Sequence, residues 1–401
     1  NRVVTLDMGG TSTDVGIVID GEYGYTTEYQ VEWGIPIAAP FIDITTIGAG
    51  GGSIAWIDKG GFLKVGPQSA GAEPGPACYD AGGTAATVTD ANLVLGRINP
   101  DYFLGGQMKL NTDKAAEAVA DMGKRIGLDV VETALSIIQL ANENMANAIR
   151  LITVERGIDP RDFDLVAFGG AGPLHAAALA ESVGARRVIV PPNAGLASAF
   201  GTLVADLRVD RSWTHAYRSN APNVVAHIDE RFKALTESAL QALREEGFSG
   251  TPEVQRSISM RYMGQNYEQE ISVAPGPITE LALDDVFERF HQQHNEFYGY
   301  NIPREIMELI HFNVSVVGEV SKVTLPKLSS GSIQGSGPGA HRRVYFEGIG
   351  SVDCPIYRRE ELAVEAVIQG PAVIDDLDST VVLPVGKQLS VTDRGLLIIG
   401  K

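Results

Sequence analysis

Cysteine is scarce in this chain: only Cys78 and Cys354 occur, far apart in sequence. That excludes a disulfide framework and favours a reducing compartment. Long apolar runs are missing too, since none approaches the ~18 residues that a membrane span needs, and no signal peptide is recognisable. Basic residues number 32 against 50 acidic ones, and the net charge of −18 argues against a basic surface for nucleic acid or anionic lipid. These absences predict a cytoplasmic protein that binds neither nucleic acid nor membranes.

Glycine is the residue type that stands out. Hydrophobic residues make up 44% and charged residues 20% of the chain, which excludes extended disorder. The length of 401 residues predicts two or three domains. The chain has 45 glycines, and they are unevenly spread, with clusters at 9–10, 48–52, 60–61, 66–83, 169–172 and 195–201. Such clusters between apolar runs indicate tight turns or a backbone that approaches a ligand closely.

The pattern of apolar runs predicts three regions. In residues 1–205 strand-like runs alternate with helical ones, including a long helix from about Val130 to Arg156, which is typical of an α/β domain. Residues 206–328 combine helical stretches with paired strands at Ser257–Met263 and Tyr267–Val273, an α+β pattern. Residues 329–401 begin with a Ser/Gly/Pro/Gln-rich linker and continue as a small β-rich module. Because the chain starts abruptly inside a strand-like run, we expect a further segment upstream.

The strongest motif is Asp-Met-Gly-Gly-Thr-Ser-Thr-Asp at Asp7–Asp14, in a predicted strand–turn–strand. Paired glycines and hydroxyl residues let backbone N–H groups and side-chain hydroxyls converge on a phosphate. Asp7 is placed to hold Mg²⁺ directly or through water, and Asp14 to do the same or to orient a nucleophile. The alternative is a glycine-rich hairpin turn whose acids cap backbone groups.

A second glycine motif, Gly-Gly-Ala-Gly at Gly169–Gly172, lies between a predicted strand and a predicted helix. The start of a helix offers free N–H groups and the positive end of the helix dipole, and glycine lets a nucleotide lie against the backbone. The alternative is a tight strand–helix connection that needs glycine for packing. The spacing fits neither a Walker A motif nor a dinucleotide fingerprint.

Two further segments have two interpretations each. Gly48–Ser53 is either a third anion-binding nest or a loop packed under its neighbouring strands. Asp90 and Asn92 are either polar ligands or, by preference, part of a helix N-cap.

The histidines and the first cysteine are also open to two interpretations. His175 is either a proton carrier or a packed, hydrogen-bonded side chain. His291 and His294 are spaced to bind a metal on one helix face, but a solvated helix face is the preferred interpretation. Cys78 is interpreted as a buried thiol, because no base can be paired with it as a nucleophile would need.

These motifs together resemble the hydantoinase/oxoprolinase family, A-subunit type, which includes the smaller ATP-binding subunit of acetone carboxylases. The similar stretches are residues 6–15, 47–57, 65–79, 87–93 and 168–175. A weaker similarity continues through Arg-Tyr-Met-Gly-Gln at 261–265 and Gly-Pro-Ala-Val-Ile at 370–374.

The resemblance implies an actin-like and sugar-kinase-like superfold, in which ATP lies between two ribonuclease-H-like lobes. This chain would be the second lobe, and the first would lie upstream of Asn1. Asp7 and Asp14 would then be catalytic, with Asp7 holding the metal. The implied phosphate ligands are Gly9, Gly10, Thr11, Ser12 and Thr13, and the implied nucleoside contacts are Gly169, Gly170 and Gly172.

The resemblance also implies ATP-driven chemistry on carbonyl compounds, with ATP and Mg²⁺ as cofactors. We expect ring-opening hydrolysis of a cyclic amide, such as a hydantoin or 5-oxoproline, through phosphorylation of the amide oxygen. One alternative is the ATP-binding subunit of a ketone carboxylase of the acetone carboxylase type. Another, of a different class, is a non-catalytic scaffold subunit. A B-type hydantoinase subunit or domain is the expected partner, within an oligomer.

Overall fold

The computed structural model describes residues 2–26, 30–32, 35–36, 41–328 and 337–400. The chain divides into two compact units: Asn1–Gly201 with Thr324–Lys401, and Thr202–Val323. Within the described residues, no helix is both long and apolar enough to cross a membrane.

The strands and helices follow in chain order. The strands are β1 (Arg2–Met8), β2 (Thr13–Ile19), β3 (Glu22–Tyr23), β4 (Tyr25–Thr26), β5 (Gln30–Glu32), β6 (Ile35–Pro36), β7 (Phe41–Ile42), β8 (Ile44–Ile47), β9 (Ser53–Ile57), β10 (Leu63–Ser69), β11 (Asp164–Phe168), β12 (Val188–Val190), β13 (Leu207–Arg218), β14 (Glu253–Tyr262), β15 (Gln269–Val273), β16 (Met307–Gly318), β17 (Ala340–Phe346), β18 (Gly350–Arg358), β19 (Val367–Gln369), β20 (Ala372–Asp375), β21 (Thr380–Leu383), β22 (Gln388–Val391) and β23 (Leu397–Gly400). The helices are α1 (Val88–Val94), α2 (Thr112–Ile126), α3 (Val130–Thr153), α4 (Gly172–Val183), α5 (Ala197–Val204), α6 (Val224–Glu245) and α7 (Glu280–Tyr298).

One large mixed sheet organises the first unit. Its strands run in the order β19-β22-β23-β12-β11-β1-β2-β3, and β8 also pairs with β2. β1 lies antiparallel to β2 and parallel to β11, and β11 lies parallel to β12. The carboxyl ends of β1 and β11 therefore meet at one edge of the sheet, and the two glycine motifs follow directly from those ends.

Helix α3 forms where the sequence predicts it. Asp129 and Glu132 make a reciprocal capping box at its start, and Gly157, with φ 74°, follows a short 3₁₀ turn at its end. Apolar side chains at helical spacing, such as Ile137 and Ile149, lie fully buried in the main core. The core joins α3 and α4 to the sheet, so the helix after the second glycine motif is rigidly held.

The prediction that the C-terminal strands form a module separate from the first domain is wrong. The predicted β-rich module of residues 329–401 does contain short strands, but β19, β22 and β23 belong to the large sheet, through the antiparallel pairing of β23 with β12. The remaining strands form a second sheet in the order β17-β18-β20-β21. Apolar alternation shows that a strand has a buried face, but not which sheet it joins. The start of the predicted linker, 329–336, lies outside the described residues.

The second unit confirms the predicted α+β pattern. Its antiparallel sheet has the order β13-β16-β14-β15, and the predicted strand pair corresponds to β14 and β15. The helices α6 and α7 contribute Phe232 and Phe290 to a separate core, in which Tyr262 and Phe312 are also fully buried.

Candidate functional site

The turn between β1 and β2 is the centre of the site. Gly9 N–H donates to Ser12 O at 3.1 Å, which closes the turn. Among the described residues, the N–H groups of Gly10, Thr11 and Ser12 find no acceptor. A Cβ atom on Gly9 or Gly10 would contact nothing within 4 Å, so this face of the turn is open. Free N–H groups on an open turn form an anion-binding concavity.

The loop at Gly48–Ser53 supports the turn from behind. Gly51 N–H donates to Gly9 O at 3.0 Å, and Gly52 N–H donates to Gly10 O at 2.6 Å. A Cβ atom on Gly50 would lie 2.6 Å from the Thr11 nitrogen, so only glycine permits this approach. Because these amides are used within the protein, the packed-loop interpretation is correct and the anion-nest interpretation is wrong.

The two predicted acids lie side by side. Asp7 and Asp14 are directly opposite in the β1–β2 register, which places their side chains on one face with Cβ atoms about 5 Å apart. Ser198 Oγ–H donates to Asp7 Oδ2, and Thr46 Oγ1–H donates to Asp14 Oδ1.

The second glycine motif lies against the first. Asp7 pairs with Phe168 in the parallel β1–β11 register, and Ala171 N–H donates to Met8 O at 3.0 Å. Gly169 has φ +77°, and a Cβ atom there would lie 2.4 Å from Asp7 Oδ1. The structure thus brings together two motifs that lie about 160 residues apart in sequence.

Two of the residues predicted to bind the nucleotide, Thr13 and Gly172, do not face the open side of the β1–β2 turn. Thr13 is fully buried and its hydroxyl donates to Ala49 O, so this side chain holds the turn in place. Gly172 begins α4, and a Cβ atom there would lie 3.4 Å from Leu6 O, an ordinary van der Waals contact, so this position faces β1. Gly170 and Ala171, by contrast, line the cavity described next.

A cavity of about 160 Å³ adjoins the turn in the first unit. Its lining includes Gly9, Gly10 and Gly170 from the two glycine turns. Aromatic and apolar side chains, among them Tyr102 and Phe103, line it as well. The segment Asp375–Thr380, which the sequence analysis did not single out, forms a further wall. The sequence does contain a pattern that could have marked this segment, since three acids and a serine lie between two apolar strands.

Asp90 acts in a capping box, which confirms the preferred interpretation for this residue. For Asn92 the N-cap interpretation is wrong, because Asn92 lies inside α1 and its Nδ2 donates to Val88 O. Thr87 is the N-cap of α1, and the Asp90 carboxylate accepts hydrogen bonds from Thr87 N–H and Oγ1–H. It also accepts from Ala77 N–H and Cys78 N–H at 3.2 and 2.8 Å. This buried carboxylate ties the 75–80 loop to α1.

His175 is a packed side chain rather than a proton carrier. Its Nδ1–H donates to Asn142 Oδ1 at 2.7 Å, and its Nε2 accepts from Asn92 Nδ2 at 3.4 Å. Burial, with a smaller contribution from Arg97, lowers the pKa of His175 to about 3. The imidazole therefore stays neutral at physiological pH.

Cys78 is also buried, as predicted. Burial and the neighbouring Asp90 raise the pKa of its thiol, which makes it a poor nucleophile.

The preferred interpretation of His291 and His294 is wrong. Instead of lying on a solvated face, they are only 7% and 1% exposed. Tyr262 O–H bonds to His291 Nδ1 at 2.6 Å, and His294 Nδ1–H donates to Tyr300 O at 2.8 Å. Nor do the described residues contain a group of three or more metal-ligating side chains.

Comparison with known families gives the same assignment as the motifs. The profile of the hydantoinase/oxoprolinase family matches residues 1–211, and that of the hydantoinase/oxoprolinase C-terminal domain matches residues 215–398. The chain belongs to the hydantoinase/oxoprolinase family. The resemblance drawn from the motifs is thereby confirmed.

Three relatives of this hydantoinase/oxoprolinase chain match almost its whole length. An uncharacterized protein of Methanocaldococcus jannaschii is 39% identical, over 100% of the chain and 58% of the relative. Caprolactamase subunit alpha of Pseudomonas jessenii is 35% identical, over 98% of the chain and 57% of the relative. The acetophenone carboxylase gamma subunit of Aromatoleum aromaticum is 33% identical, over 99% of the chain and 56% of the relative. The chain thus spans less than two thirds of the length of these relatives.

Two solved structures of the same kind share the fold. The nucleotide-free structure of acetone carboxylase matches with a TM-score of 0.85 and 26% identity, over 99% of this chain and 58% of that chain. The crystal structure of ATP-dependent caprolactamase from Pseudomonas jessenii matches with a TM-score of 0.81 and 34% identity, over 100% of this chain and 59% of that chain. The mixed α/β architecture with several sheets is therefore common to this family member and both enzymes.

Proposed function

We propose that this chain supplies one lobe of the ATP site of an enzyme that opens a cyclic amide ring. The observation that carries the proposal is the convergence, at one sheet edge, of Asp7, the free N–H groups of residues 10–12 and the glycine turn at 169–172. The caprolactamase name of one relative and of one solved structure supports a cyclic amide as the substrate. In an actin-like arrangement, this chain is the second lobe and the nucleotide lies against it.

The open turn has the chemistry of a phosphate site. The N–H groups of Gly10, Thr11 and Ser12 are free to donate to phosphate oxygens, and the lack of a side chain at residues 9 and 10 lets those oxygens approach the backbone. The hydroxyls of Thr11 and Ser12 add donors. Because the 48–53 loop holds the turn from behind, these donors are preorganised and need little rearrangement when phosphate binds.

Asp7 and Asp14 fit a Mg²⁺ ion. They present carboxylates on one face beside the phosphate turn, and carboxylate and phosphate oxygens are the ligands that Mg²⁺ prefers. The ion supplies charge neutralisation on the phosphates when bound. Asp7 is the proposed direct ligand, while Asp14 holds or orients a water.

Phosphorylation of the amide oxygen would overcome the low reactivity of an amide towards water. The amide oxygen attacks the γ-phosphorus of ATP, which forms a new P–O bond while the bond to ADP breaks. A water then adds to the activated carbon, and the ring C–N bond breaks as the nitrogen takes up a proton. The resulting acyl phosphate is hydrolysed by a second water to the carboxylate and inorganic phosphate. This chain's residues position the phosphates for the first of these steps.

The proposal is tested by ATP turnover of the full-length protein together with any copurifying partner, including a B-type subunit. The substrate panel is hydantoin, 5-oxoproline, caprolactam, and a ketone with and without bicarbonate. Stimulation by a cyclic amide supports the proposal. Turnover that requires both ketone and bicarbonate would instead assign the carboxylase function, which the acetone carboxylase match favours. ATP binding without turnover on the whole panel would favour a scaffold subunit.

Asp7→Asn is the decisive variant within this assay. It keeps the shape of the side chain but removes the charge that holds Mg²⁺, so we expect ATP turnover to fall at least ~10²-fold with the fold intact. Glu117→Gln, at an exposed position on α2, removes one charge elsewhere in the same unit and serves as the matched control. Full turnover by Asp7→Asn would show that the metal assignment is wrong.

A further inference from the structure

The Asp7 carboxylate is held by a residue that is distant in sequence. Within the described residues, the one hydrogen bond that this carboxylate accepts comes from Ser198, whose Oγ–H donates to Asp7 Oδ2. The two residues are 191 positions apart in the chain. The other oxygen, Asp7 Oδ1, lies against Gly169, where a Cβ atom would be only 2.4 Å away. One carboxylate oxygen is thus fixed by a hydroxyl and the other is flanked by a backbone turn, so the carboxylate has little freedom to rotate.

The loop that carries Ser198 is anchored independently of this carboxylate. Gly169 N–H donates to Ala194 O at 2.8 Å, and Ala194 is fully buried. The next residue, Gly195, packs on the turn between β20 and β21, since a Cβ atom there would lie 2.9 Å from Asp378 Cβ and 3.0 Å from Asp378 O. Ser198 follows as the second residue of α5. The fold therefore presents its hydroxyl from a fixed position.

The exposure of Ser198 makes a purely structural role a poor explanation of this contact. The residue is exposed, so water satisfies its hydroxyl as well as a carboxylate does, and the exchange adds little to stability. Thr46 donates to Asp14 in a similar way, but those two residues are directly paired on neighbouring strands. The contact between Ser198 and Asp7 follows from no strand pairing. Its explanation therefore lies in what Asp7 does.

We infer that Ser198 is a positioning residue that orients Asp7 as a ligand of Mg²⁺. The inference rests on the proposed function, since it takes Asp7 to be the metal-binding carboxylate. A neutral serine hydroxyl donates one hydrogen bond, so it fixes the direction of the carboxylate and leaves its negative charge for the cation. Partners of this kind typically contribute about 10–100-fold to metal affinity or activity. The glycine cluster at 195–201 thereby gains a role, which is to bring this donor to the metal site.

The test measures by calorimetry how tightly the full-length protein binds AMP-PNP, a non-hydrolysable ATP analogue, in Mg²⁺ and in EDTA. The affinity of free nucleotide for Mg²⁺ is the same for every variant, so a change in the ratio of the two affinities reports metal binding in the complex. Ser198→Ala should lower this ratio about 10-fold or more, with the affinity in EDTA and the urea midpoint unchanged.

Two further variants serve as rescue and control. Ser198→Thr keeps a hydroxyl on the same carbon and should restore most of the ratio. Ser182→Ala, on α4, removes another exposed hydroxyl that donates to a carboxylate, that of Glu143 at 3.4 Å, and should leave the ratio unchanged. Where binding in EDTA is too weak to measure, the loss of affinity in Mg²⁺ and its recovery in Ser198→Thr provide the same comparison.

The outcomes separate this inference from the proposed function. A ratio that Ser198→Ala leaves unchanged, or affinities that fall equally in Mg²⁺ and in EDTA, would overturn the inference alone. A marked loss of stability in Ser198→Ala would assign a structural role and overturn it as well. A wild-type ratio close to one would overturn both the metal assignment of Asp7 and this inference. No nucleotide binding by wild type in either condition would overturn the proposed function itself.

Discussion

Gly169→Ala is the substitution that most directly probes how the fold holds the phosphate turn. The new Cβ atom would lie 2.4 Å from both Asp7 Oδ1 and Met8 O. Backbone atoms do not yield as a flexible side chain does, so overpacking adds about 1–3 kcal/mol. The left-handed φ of +77° adds about 1–2 kcal/mol for a residue with a side chain. The expected loss in free energy of unfolding is therefore about 2–5 kcal/mol.

Gly127→Ala isolates the contribution of the contact. Gly127 has φ +75° at the end of α2, but a Cβ atom there would meet nothing within 4 Å. Gly127→Ala should therefore lower the free energy of unfolding only by the about 1–2 kcal/mol that a left-handed backbone costs a residue with a side chain. Urea unfolding of both variants, compared by midpoint at constant slope, gives the difference. Since Gly169→Ala also displaces Asp7, its ATP turnover should fall ~10²-fold. Equal midpoints for the two variants, or undiminished turnover, would refute the reasoning.

Two further predictions concern buried polar groups behind the site. Asp90→Asn removes a carboxylate that accepts four hydrogen bonds and should lower the free energy of unfolding by about 3–5 kcal/mol; a urea midpoint unchanged from wild type would contradict this. The pKa of His175 is lowered to about 3 in the folded protein, so the unfolded chain takes up the proton more readily below its usual pKa of about 6.5. Stability should therefore be lost as the pH falls from about 6.5 towards 3, by up to about 1.4 kcal/mol per pH unit. His175→Gln should flatten this dependence in urea titrations, and an identical slope in both proteins would count against it.

The elements that the sequence predicts well are those whose signal is local. The capping box at Asp129 and the apolar spacing of Ile137 and Ile149 suffice to predict α3. The strand–turn–strand at the first motif also needs only its own residues. What local patterns cannot show is the parallel register that pairs Asp7 with Phe168, because it joins segments separated by three helices, α1 to α3, and several strands. The nearness of the two glycine motifs was therefore implied only by the family resemblance.

The burial of the α7 histidines follows the apolar periodicity of the helix, although their residue type suggested otherwise. Leu283, Val286 and Phe290 are buried at successive spacings of three and four residues. His294 lies four residues further along and continues the same stripe. Its polarity suggested solvent or a metal, but the partners that make its burial favourable, Tyr300 O and the amide of Gln265, come from the segments around the helix. Periodicity was the better guide here than side-chain type.

The C-terminal strands have a consequence for function as well as for the fold. A separate module after residue 329 would leave the glycine turns exposed on that side. Instead, the pairing of β23 with β12 adds the chain end to the large sheet, and α4 packs against β21. That packing brings the turn between β20 and β21 to the cavity, where the Asp378 carbonyl oxygen lies near Gly170 and the Asp378 side chain lies against Gly195, in the loop that follows β12. Because the wall of the proposed nucleotide site depends on these long-range strand pairings, changes that loosen β23 should weaken nucleotide binding without touching a nucleotide contact.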